Sequence, residues 1–502
     1  MWVRILAVAA AAIAVGAMAY VLTAPPAAQQ VVGNPPTVAP PDPSAAPRPA
    51  PPRRVPPPSP RPSVAPPLDP ATAELSLAEQ RTVARLSAII GRSRVGGTLS
   101  LTVVDAQGRA LFGHASSTPV LPASTQKLAV AGAALAQLGP GYRYTTAVTT
   151  THQPDARGVL KGDLVLVGGG DPALAQPQFA GIEPDRPRTP MENLVTQIKR
   201  AGVRRVTGRI LGDPTFLANE PVAAGWRNRY FDQLDATRIS GLTVDAGRRV
   251  VDNSGVLQAT AAPDPARQAA AVLRRLLIDR GIKVRGGAAS TGQPSAGSST
   301  IATVSSPPMG TLLRYMVQSS DNHLADTIFR TLGAARGDST WIGAAGATAE
   351  ILGPLQLDWS GVVLADGSGL SRANRVSSDF LAQLQARMWQ SNLKDQWVDL
   401  LARSGHRGTL KSRFLGTVAE SNVYGKTGSL RDVSALVGTV AGTKGRQLHF
   451  AIVGNRLEST LRMRETTDQV VVAMAEEMHD CRRIPRPRRN NGKPRPPRLV
   501  CG

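Results

Sequence analysis

The chain has 502 residues, which is long enough for about three domains. Hydrophobic residues make up 42% and charged residues 19%, a globular average, and the two cysteines are too few for a disulfide-built scaffold or a Cys-rich zinc module. The net charge of +22 does not indicate a nucleic-acid-binding protein, because much of it lies in residues 481–502, which hold seven arginines, one lysine and no acid.

The chain begins with an apolar segment. Arg4 precedes an uncharged, mostly apolar run of twenty residues from Ile5 to Ala24, which is long enough to cross a bilayer as a helix. Arg4 orients the remainder outward. The small residues around Met18 also fit a signal-peptidase site, so an uncleaved anchor and a cleaved signal both stay open. In either case the sequence predicts an exported protein.

A proline-rich segment follows the apolar run. Residues 25–70 contain 19 of the 41 prolines and cannot bury enough apolar surface to fold. We expect this segment to be a disordered tether that favours extended polyproline conformations.

Residues 71–480 show mixed helix and strand periodicity. The patterns predict helices, in chain order, at Glu74–Ile90, from near Ser124 to Leu138, and at Glu192–Ala201, Ala266–Arg280, Gly310–Val317, His323–Leu332, Ser377–Trp389 and Ser459–Met478. They predict strands at Thr98–Val104, Ala110–Gly113, Thr145–Thr151, Asp163–Val167, Arg205–Leu211, Thr417–Tyr424, Val433–Val440 and Leu448–Val453.

This order of elements predicts an α+β fold, an antiparallel sheet covered by helices, with a large inserted mixed α/β unit. Short strands and Gly-, Asp- and Pro-rich loops set the middle of the chain apart. The predicted organisation is a membrane anchor or signal at 1–24, the tether at 25–70, a catalytic domain in two segments at 71–145 and 300–480, an inserted accessory unit at 146–299, and a basic disordered tail at 481–502. Cys481 and Cys501 bracket the tail, and the sequence does not decide whether they pair.

The first candidate motif is Ser124 with Lys127. In a helix the i and i+3 side chains share a face, so Lys127 can reach the Ser124 hydroxyl. A serine hydroxyl needs a base to become a nucleophile, and a lysine amine serves if burial and a nearby cation lower its pKa. Alone the spacing is weak, because Ser391 and Lys394 repeat it, and we interpret that copy as surface chemistry without function.

Two further motifs follow along the chain. Ser320 and Asn322 lie between two predicted helices, where one can relay a proton and the other hold a substrate amide, although both residue types also favour helix N-caps. Lys426, Thr427 and Gly428 follow a predicted strand, taken as an edge strand, where they can bind a terminal carboxylate. We expect Gly428 to let a substrate backbone approach.

The three motifs occur in the order nucleophile, middle serine, strand lysine. This set resembles that of the penicillin-recognising serine transferases. Ser124 and Ser320 are 196 residues apart, and this gap holds the predicted insertion. The chain resembles the low-molecular-weight class C penicillin-binding proteins, the D-alanyl-D-alanine carboxypeptidase/endopeptidase family. The resemblance rests on the insertion and on the sequence strings at 167–172, 319–326 and 366–372.

The resemblance implies a role for each matching residue. Ser124 would attack the carbonyl between two D-alanines of a peptidoglycan stem and form an acyl-enzyme, with Lys127 as its base. Ser320 would pass a proton to the departing amine, helped by Lys426, while Asn322 orients the acyl chain.

The remaining implied roles concern binding. Lys426 and Thr427 would hold the substrate carboxylate beside Gly428, and the main-chain N–H groups of Ser124 and Ser429 would form the oxyanion hole. Arg372 resembles a family arginine that shapes the stem-peptide pocket. The alternative interpretation is an exposed arginine in a loop without such a role.

The partners implied are peptidoglycan stem peptides and β-lactam antibiotics as covalent inhibitors, with the membrane through the N-terminal segment and no nucleic acid. No cofactor or metal is expected: the six histidines lack close ligand spacing, and His323 is predicted to lie on a helix surface. The alternatives are a β-lactamase or D-amino-acid esterase of the same superfamily, or a catalytically silent wall-binding scaffold. The balance of carboxypeptidase and endopeptidase activity stays open.

Overall fold

The structure, a computed structural model, describes residues 75–484 and 498–502. The predicted apolar segment at 1–24 and the predicted tether at 25–70 lie outside the described residues. Among the helices of the described ranges, none combines the length and the apolar character that a bilayer crossing requires.

Helices make up much of the described chain. Their bounds are α1 Leu77–Arg92, α2 Lys127–Gln137, α3 Glu192–Arg200, α4 Asn228–Asp232, α5 Pro265–Asp279, α6 Met309–Ser319, α7 Asn322–Ala335, α8 Trp341–Leu352, α9 Ser378–Gln390, α10 Lys394–Leu400 and α11 Thr460–Met478. Local chemistry sets their starts. At α1, for example, Ser76 and Glu79 form a reciprocal capping box that satisfies two free backbone N–H groups.

The strands are shorter and more numerous. Their bounds are β1 Thr98–Val104, β2 Ala110–His114, β3 Thr145–Thr150, β4 Val159–Leu160, β5 Leu164–Val167, β6 Leu174–Ala175, β7 Thr189–Pro190, β8 Arg205–Val206, β9 Ile210–Asp213, β10 Arg248–Asn253, β11 Val256–Ala261, β12 Lys283–Val284, β13 Ser290–Thr291, β14 Ser299–Ser305, β15 Ala402–Arg403, β16 Val423–Leu430, β17 Val433–Ala441, β18 Gln447–Asn455, β19 Arg482–Ile484 and β20 Arg498–Val500.

A six-stranded antiparallel sheet organises the catalytic part. Its order is β15-β16-β17-β18-β1-β2, so β18, the last long strand in the chain, pairs with β1, the first. Both faces are buried. On β17, Ala435 and Val437 pack into the core that holds α2 and α6 to α10, whereas Leu436 and Val440 pack against α1 and α11. The predicted α+β fold with a helix-covered antiparallel sheet is confirmed.

The inserted unit has its own sheets and core. A five-stranded mixed sheet, β13-β9-β5-β3-β14, and a three-stranded parallel sheet, β12-β8-β4, pack with α3 and α5 around a separate apolar cluster. The strands that enter and leave the unit, β3 and β14, pair antiparallel from Thr145 opposite Ser305. The predicted boundary after residue 299 therefore falls inside a strand, and the sheet runs on to Ser305.

Two predicted strands differ from the structure. The single strand expected at Arg205–Leu211 is two strands in different sheets, because the chain bends at Gly208, where a Cβ would collide with Asp163 and the Gly162 carbonyl. The strand expected at Thr417–Tyr424 is β16, which begins only at Val423, since turns occupy the residues before it.

The tail also departs from the disordered extension predicted for 481–502. Cys481 and Cys501 form a disulfide, and β19 pairs antiparallel with β20 beside it. The backbone N–H groups of Cys481 and Gly502 donate to carbonyls near the end of α11, so the disulfide lies against this helix end. Residues 485–497 of the tail lie outside the described ranges.

Candidate active site

Ser124 and Lys127 lie where a short 3₁₀ turn, Ala123–Gln126, leads into α2. Pro122 precedes the turn, and Ala123 adopts a positive φ of +48° before the helical backbone continues through Ser124. The Lys127 Nζ lies 3.0 Å from the Ser124 Oγ. The i,i+3 spacing therefore places the lysine amine in hydrogen-bond contact with the serine hydroxyl.

The burial of Lys127 shifts its amine toward the neutral form. Its Nζ donates to the Asn322 Oδ1 and to the Ser368 carbonyl, each at 2.7 Å, and its side chain is fully buried. Burial lowers the pKa of Lys127 to about 8, although the nearby carboxyl groups of Asp326 and Asp366 act to raise it. A neutral amine has two N–H donors, which these two carbonyl oxygens accept, so its lone pair is left for the Ser124 hydroxyl.

Two buried acids near Lys127 were not identified from the sequence. The Asp326 Oδ1 accepts the backbone N–H groups of Gly367 and Ser368 at 2.9 and 2.8 Å, which fixes the turn whose Ser368 carbonyl contacts Lys127. Burial and the charge of Asp366 raise the pKa of Asp326 well above its usual range, and Lys127 opposes that rise. Both acids lie in the sequence strings 319–326 and 366–372, yet neither string indicates that its acid lies near Lys127.

The middle motif is the junction between α6 and α7. Ser320 ends α6 in the left-handed region at φ +64°, and Asp321 caps α7 by accepting the Leu324 N–H at 2.8 Å. Asn322 is the first residue of α7, and its Nδ2 donates to the Asp235 carbonyl of the inserted unit at 2.8 Å. The Asn322 amide is thus held from one end by the insertion while its oxygen faces Lys127.

The strand motif completes the constellation. The Lys426 Nζ donates to the Ser320 Oγ at 2.9 Å and to the Thr427 carbonyl at 2.8 Å. Burial, and secondarily the charge of Lys127, lower the pKa of Lys426 well below its usual range. The Thr427 hydroxyl donates to the Thr409 hydroxyl at 2.8 Å, a neighbour that the sequence did not indicate. The three predicted motifs therefore meet through Lys127–Asn322 and Lys426–Ser320 contacts.

The strand that carries this motif is not the outermost in its sheet. Lys426, Thr427 and Gly428 lie within β16 and pair with β17, while the two-residue strand β15 covers only the Tyr424 and Gly425 end. Within the described sheet, the side of β16 that faces away from β17 is unpaired from Lys426 onward, so this stretch behaves as an edge that can accept an extended peptide.

The structure explains the glycine at position 428 differently from the sequence-based prediction. A Cβ at this position would lie 2.8 Å from the Pro122 carbonyl oxygen and 3.2 Å from the Ser124 nitrogen. The glycine therefore lets β16 pack against the backbone of the nucleophile itself, whereas the sequence predicted room for a substrate.

Ser429 and Arg372 lie at the far end of β16. Ser429 pairs opposite Ser434 and its side chain is exposed. Arg372 is 28% exposed and forms a 2.7 Å ion pair with Asp432 in the turn that joins β16 to β17. The structure thus places Arg372 beside the strand-motif hairpin, where it pairs with Asp432 and not with a motif residue.

Two minor predictions are wrong. His323 is buried, not on a helix surface, because its ring contacts the Thr237 hydroxyl of the inserted unit at 2.9 Å, and burial lowers its pKa well below its usual range. Ser391 of the second Ser-x-x-Lys string is also buried, not on the surface. Its hydroxyl donates to the Met388 carbonyl, and among the described residues it forms no hydrogen bond with the Lys394 amine. Among the described residues, no cluster of His, Cys, Asp and Glu has metal-site geometry.

This arrangement is suited to acyl transfer. A hydroxyl is paired with a buried amine of lowered pKa, and a second hydroxyl, on Ser320, is paired with a second buried amine, on Lys426. One pair can activate the nucleophile, and the other can deliver a proton to a leaving group.

The chain matches the D-Ala-D-Ala carboxypeptidase 3 (S13) family over residues 82–259 and 251–477. It is 28% identical over 454 residues to a D-alanyl-D-alanine carboxypeptidase of an Actinomadura species, covering 76% of this chain and 82% of that one. It is 32% identical over 378 residues to the carboxypeptidase DacB of Mycolicibacterium smegmatis, covering 73% and 78% of the two chains.

A solved structure shares the fold. The crystal structure of penicillin-binding protein 4 (dacB) from Haemophilus influenzae superposes with a TM-score of 0.66 at 20% identity, over 78% of this chain and 98% of that one. At this identity the likeness concerns the fold alone.

Proposed function

Because the chain belongs to the D-Ala-D-Ala carboxypeptidase 3 (S13) family and is a serine D-Ala-D-Ala carboxypeptidase with a penicillin-binding function, we propose that it forms its acyl-enzyme on Ser124. Its substrates are the D-Ala-containing peptide bonds of peptidoglycan stems. The observation that carries this proposal is the 3.0 Å contact of the Ser124 Oγ with a fully buried lysine amine whose two other partners are carbonyl oxygens.

The first half-reaction makes the acyl-enzyme. The Ser124 Oγ attacks the carbonyl carbon between the two D-alanines while its proton moves to the Lys127 Nζ. The main-chain N–H groups of Ser124 and Ser429 stabilise the tetrahedral oxyanion, an interaction worth ~2.7–4 kcal/mol per donor in other enzymes. The C–N bond then breaks, and the Ser320 hydroxyl gives its proton to the departing amine and regains one from Lys426.

Binding and release use the remaining groups. Asn322 orients the acyl chain, because its amide is held between Lys127 and the Asp235 carbonyl. Thr427 and Lys426 bind the terminal carboxylate beside the unpaired side of β16, and Arg372 shapes the pocket at the end of the same hairpin. Water then attacks the ester carbonyl and gives a proton back to Lys426, while the Ser124 Oγ leaves and takes back the proton held by Lys127, so both lysines return to their starting states. A β-lactam acylates Ser124 by the same steps.

The location of the enzyme follows from its substrate and its N-terminal sequence. The apolar run from Ile5 to Ala24 and the proline-rich residues 25–70 support an exported enzyme held in the cell envelope, either anchored or released by signal cleavage. The relatives are carboxypeptidases by name, which supports action on the cell wall.

Mass spectrometry of purified wall fragments tests the substrate. Loss of one terminal alanine from pentapeptide stems is expected for carboxypeptidase action, and monomers released from dimers would add endopeptidase action. Ser124→Ala must abolish both. Ser391→Ala is the matched control, since it removes a serine with the same spacing to a lysine, and must retain activity. Unchanged fragments with the wild-type enzyme would contradict the proposed substrate.

A further inference from the structure

A buried arginine of the inserted unit contacts the middle motif. Arg186 lies in the loop between β6 and β7, and its Nη1 donates to the Asp321 carboxylate and to the Glu183 Oε2, the latter at 3.4 Å. Only 1% of the Arg186 side chain is exposed. Asp321 stands between Ser320 and Asn322, so a cation of the insertion is paired with the central residue of the motif.

Asp321 divides its two oxygens between two tasks. The Oδ1 accepts the Leu324 N–H and caps α7, while the Oδ2 accepts from Arg186. Both contacts together fix the orientation of this carboxylate and therefore the turn on which it lies. A side chain held by only one of them is less restrained in its rotamer.

The turn needs such support because its backbone is strained. Ser320 adopts φ +64°, a left-handed conformation that is unfavourable for a residue other than glycine. Such a conformation persists where the surrounding structure over-determines it. The Ser320 hydroxyl must meet Lys426 from this turn, and the Asn322 amide must meet Lys127.

Arg186 is itself held by a chain of alternating charges. Glu183 bridges Arg186 and Arg248, the first residue of β10, so the ion pairs run from the β10–β11 hairpin to the motif. The Arg186 guanidinium also lies 5.9 Å from the ring centroid of Tyr315 on α6. With its side chain enclosed, Arg186 has no surface to offer a substrate.

We propose that Arg186 is a positioning residue that acts through Asp321 to aim Ser320 and Asn322, so that the inserted unit supports the catalytic turn. This inference rests on the proposed function, because it assigns Arg186 to the same acyl transfer.

The test is steady-state kinetics of D-Ala release by Arg186→Gln, with enzyme concentration fixed by penicillin titration so that misfolded molecules are not counted. We expect kcat to fall about 10–100-fold, with KM within about 3-fold of wild type, because the side chain positions reacting groups without touching substrate. An unchanged kcat, or a change in KM alone, would overturn the proposal.

A double-mutant cycle separates positioning from general stability. Asp321→Asn keeps a side chain that can cap the helix but removes the negative charge that pairs with Arg186. This variant therefore weakens the same contact from its other partner. We expect Arg186→Gln to lower kcat less than about 3-fold in the Asp321→Asn background, because the two residues act as one unit. Equal losses in both backgrounds would overturn an action through Asp321.

Arg109→Gln is the matched control. Arg109 also bridges two carboxylates, Asp105 and Glu79, but it lies at the far edge of the sheet beside β2. We expect this variant to lose thermal stability and to keep the wild-type kcat, and a fall in kcat equal to that of Arg186→Gln would overturn the proposal. Absence of D-Ala release by the wild-type enzyme would instead contradict the proposed function.

Discussion

Lys127 combines complete burial with a direct contact to the proposed nucleophile. Its pKa is lowered from 10.5 to about 8, so the neutral form that accepts a proton increases as the pH rises toward 8 and saturates above it. We therefore predict that the rate of acylation by a penicillin rises about tenfold per pH unit from pH 6 and levels off near pH 8. Stopped-flow measurement of acylation checks this, and a flat rate from pH 6 to 10 would contradict Lys127 as base.

Gly428 makes a second prediction at the residue scale. Gly428→Ala places a methyl group 2.8 Å from the Pro122 carbonyl oxygen, which forces β16 away from the backbone of Ser124. Acylation should slow about 100-fold, since small displacements of reacting groups carry costs of that size. Gly287→Ala is the control, because its new Cβ would meet no atom within 4 Å. Equal acylation rates for the two variants would be inconsistent with the observed packing.

At this scale the sequence identifies the reacting groups but not their support. Residue type and order are enough to select Ser124 and Lys426, because few side chains can perform these steps. The contacts of Arg186 and Asp326 join residues far apart in the chain, and no local pattern encodes such a pairing. The prediction that His323 lies on a helix surface is wrong for the same reason, since its buried partner Thr237 belongs to the insertion.

Helix α2 positions the nucleophile and is buried along its whole length. Gly132 lies within it, and a Cβ there would make ordinary contacts of 3.5 Å with the Leu352 and Met388 side chains. We predict that Gly132→Ala raises the free energy of unfolding by about 0.5–1 kcal/mol, because alanine loses less backbone entropy in a helix. Chemical denaturation followed by circular dichroism measures this change.

Gly333 on α7 is the matched helical glycine, and we expect its substitution by alanine to lower the free energy of unfolding. A Cβ there would collide with the Asp338 carbonyl oxygen and lie 3.0 Å from the Ala344 Cα on α8, so Gly333→Ala displaces the backbone that connects α7 to α8 and should destabilise the protein. A stabilising effect of Gly333→Ala, or a destabilising effect of Gly132→Ala, would show that the helix packing described here is wrong.

Element bounds were predictable where periodicity was strong. The strand at Thr98–Val104 is confirmed residue for residue, and the helix ending at Met478 differs only at its first residue. The start of β16 was missed because residues 417–422 look extended in sequence yet form turns, while Gly425 and Gly428 weaken the strand pattern that follows. Close packing against the Ser124 turn selects Gly428, whereas a Cβ at Gly425 would collide with the Val437 carbonyl of β17, and the sequence pattern shows neither contact.

At the scale of the whole molecule, the described ends of the tail are separate from the proposed chemistry. The disulfide between Cys481 and Cys501 lies against the end of α11, and the motif residues lie on other elements. We predict that Cys481→Ser with Cys501→Ser leaves the penicillin acylation rate within about two-fold of wild type, because distant sites act independently. A tenfold loss of acylation rate in the folded double variant would contradict this separation.

The sequence also predicts an inserted unit between the two segments of the catalytic domain. It could not show that β3 and β14 pair, because the strands are separated by most of the inserted unit and only their register brings Thr145 opposite Ser305. That pairing keeps the ends of the insertion together, so Ser124 and Ser320 can share one site despite 196 residues between them.

Peptide mapping of the protein after reaction with a fluorescent penicillin tests most directly whether Ser124 is the nucleophile. We expect one covalent adduct, on the peptide that contains Ser124, which is absent in Ser124→Ala and retained in Ser391→Ala. An adduct on any other residue, or persistent labelling of Ser124→Ala, would contradict Ser124 as the nucleophile.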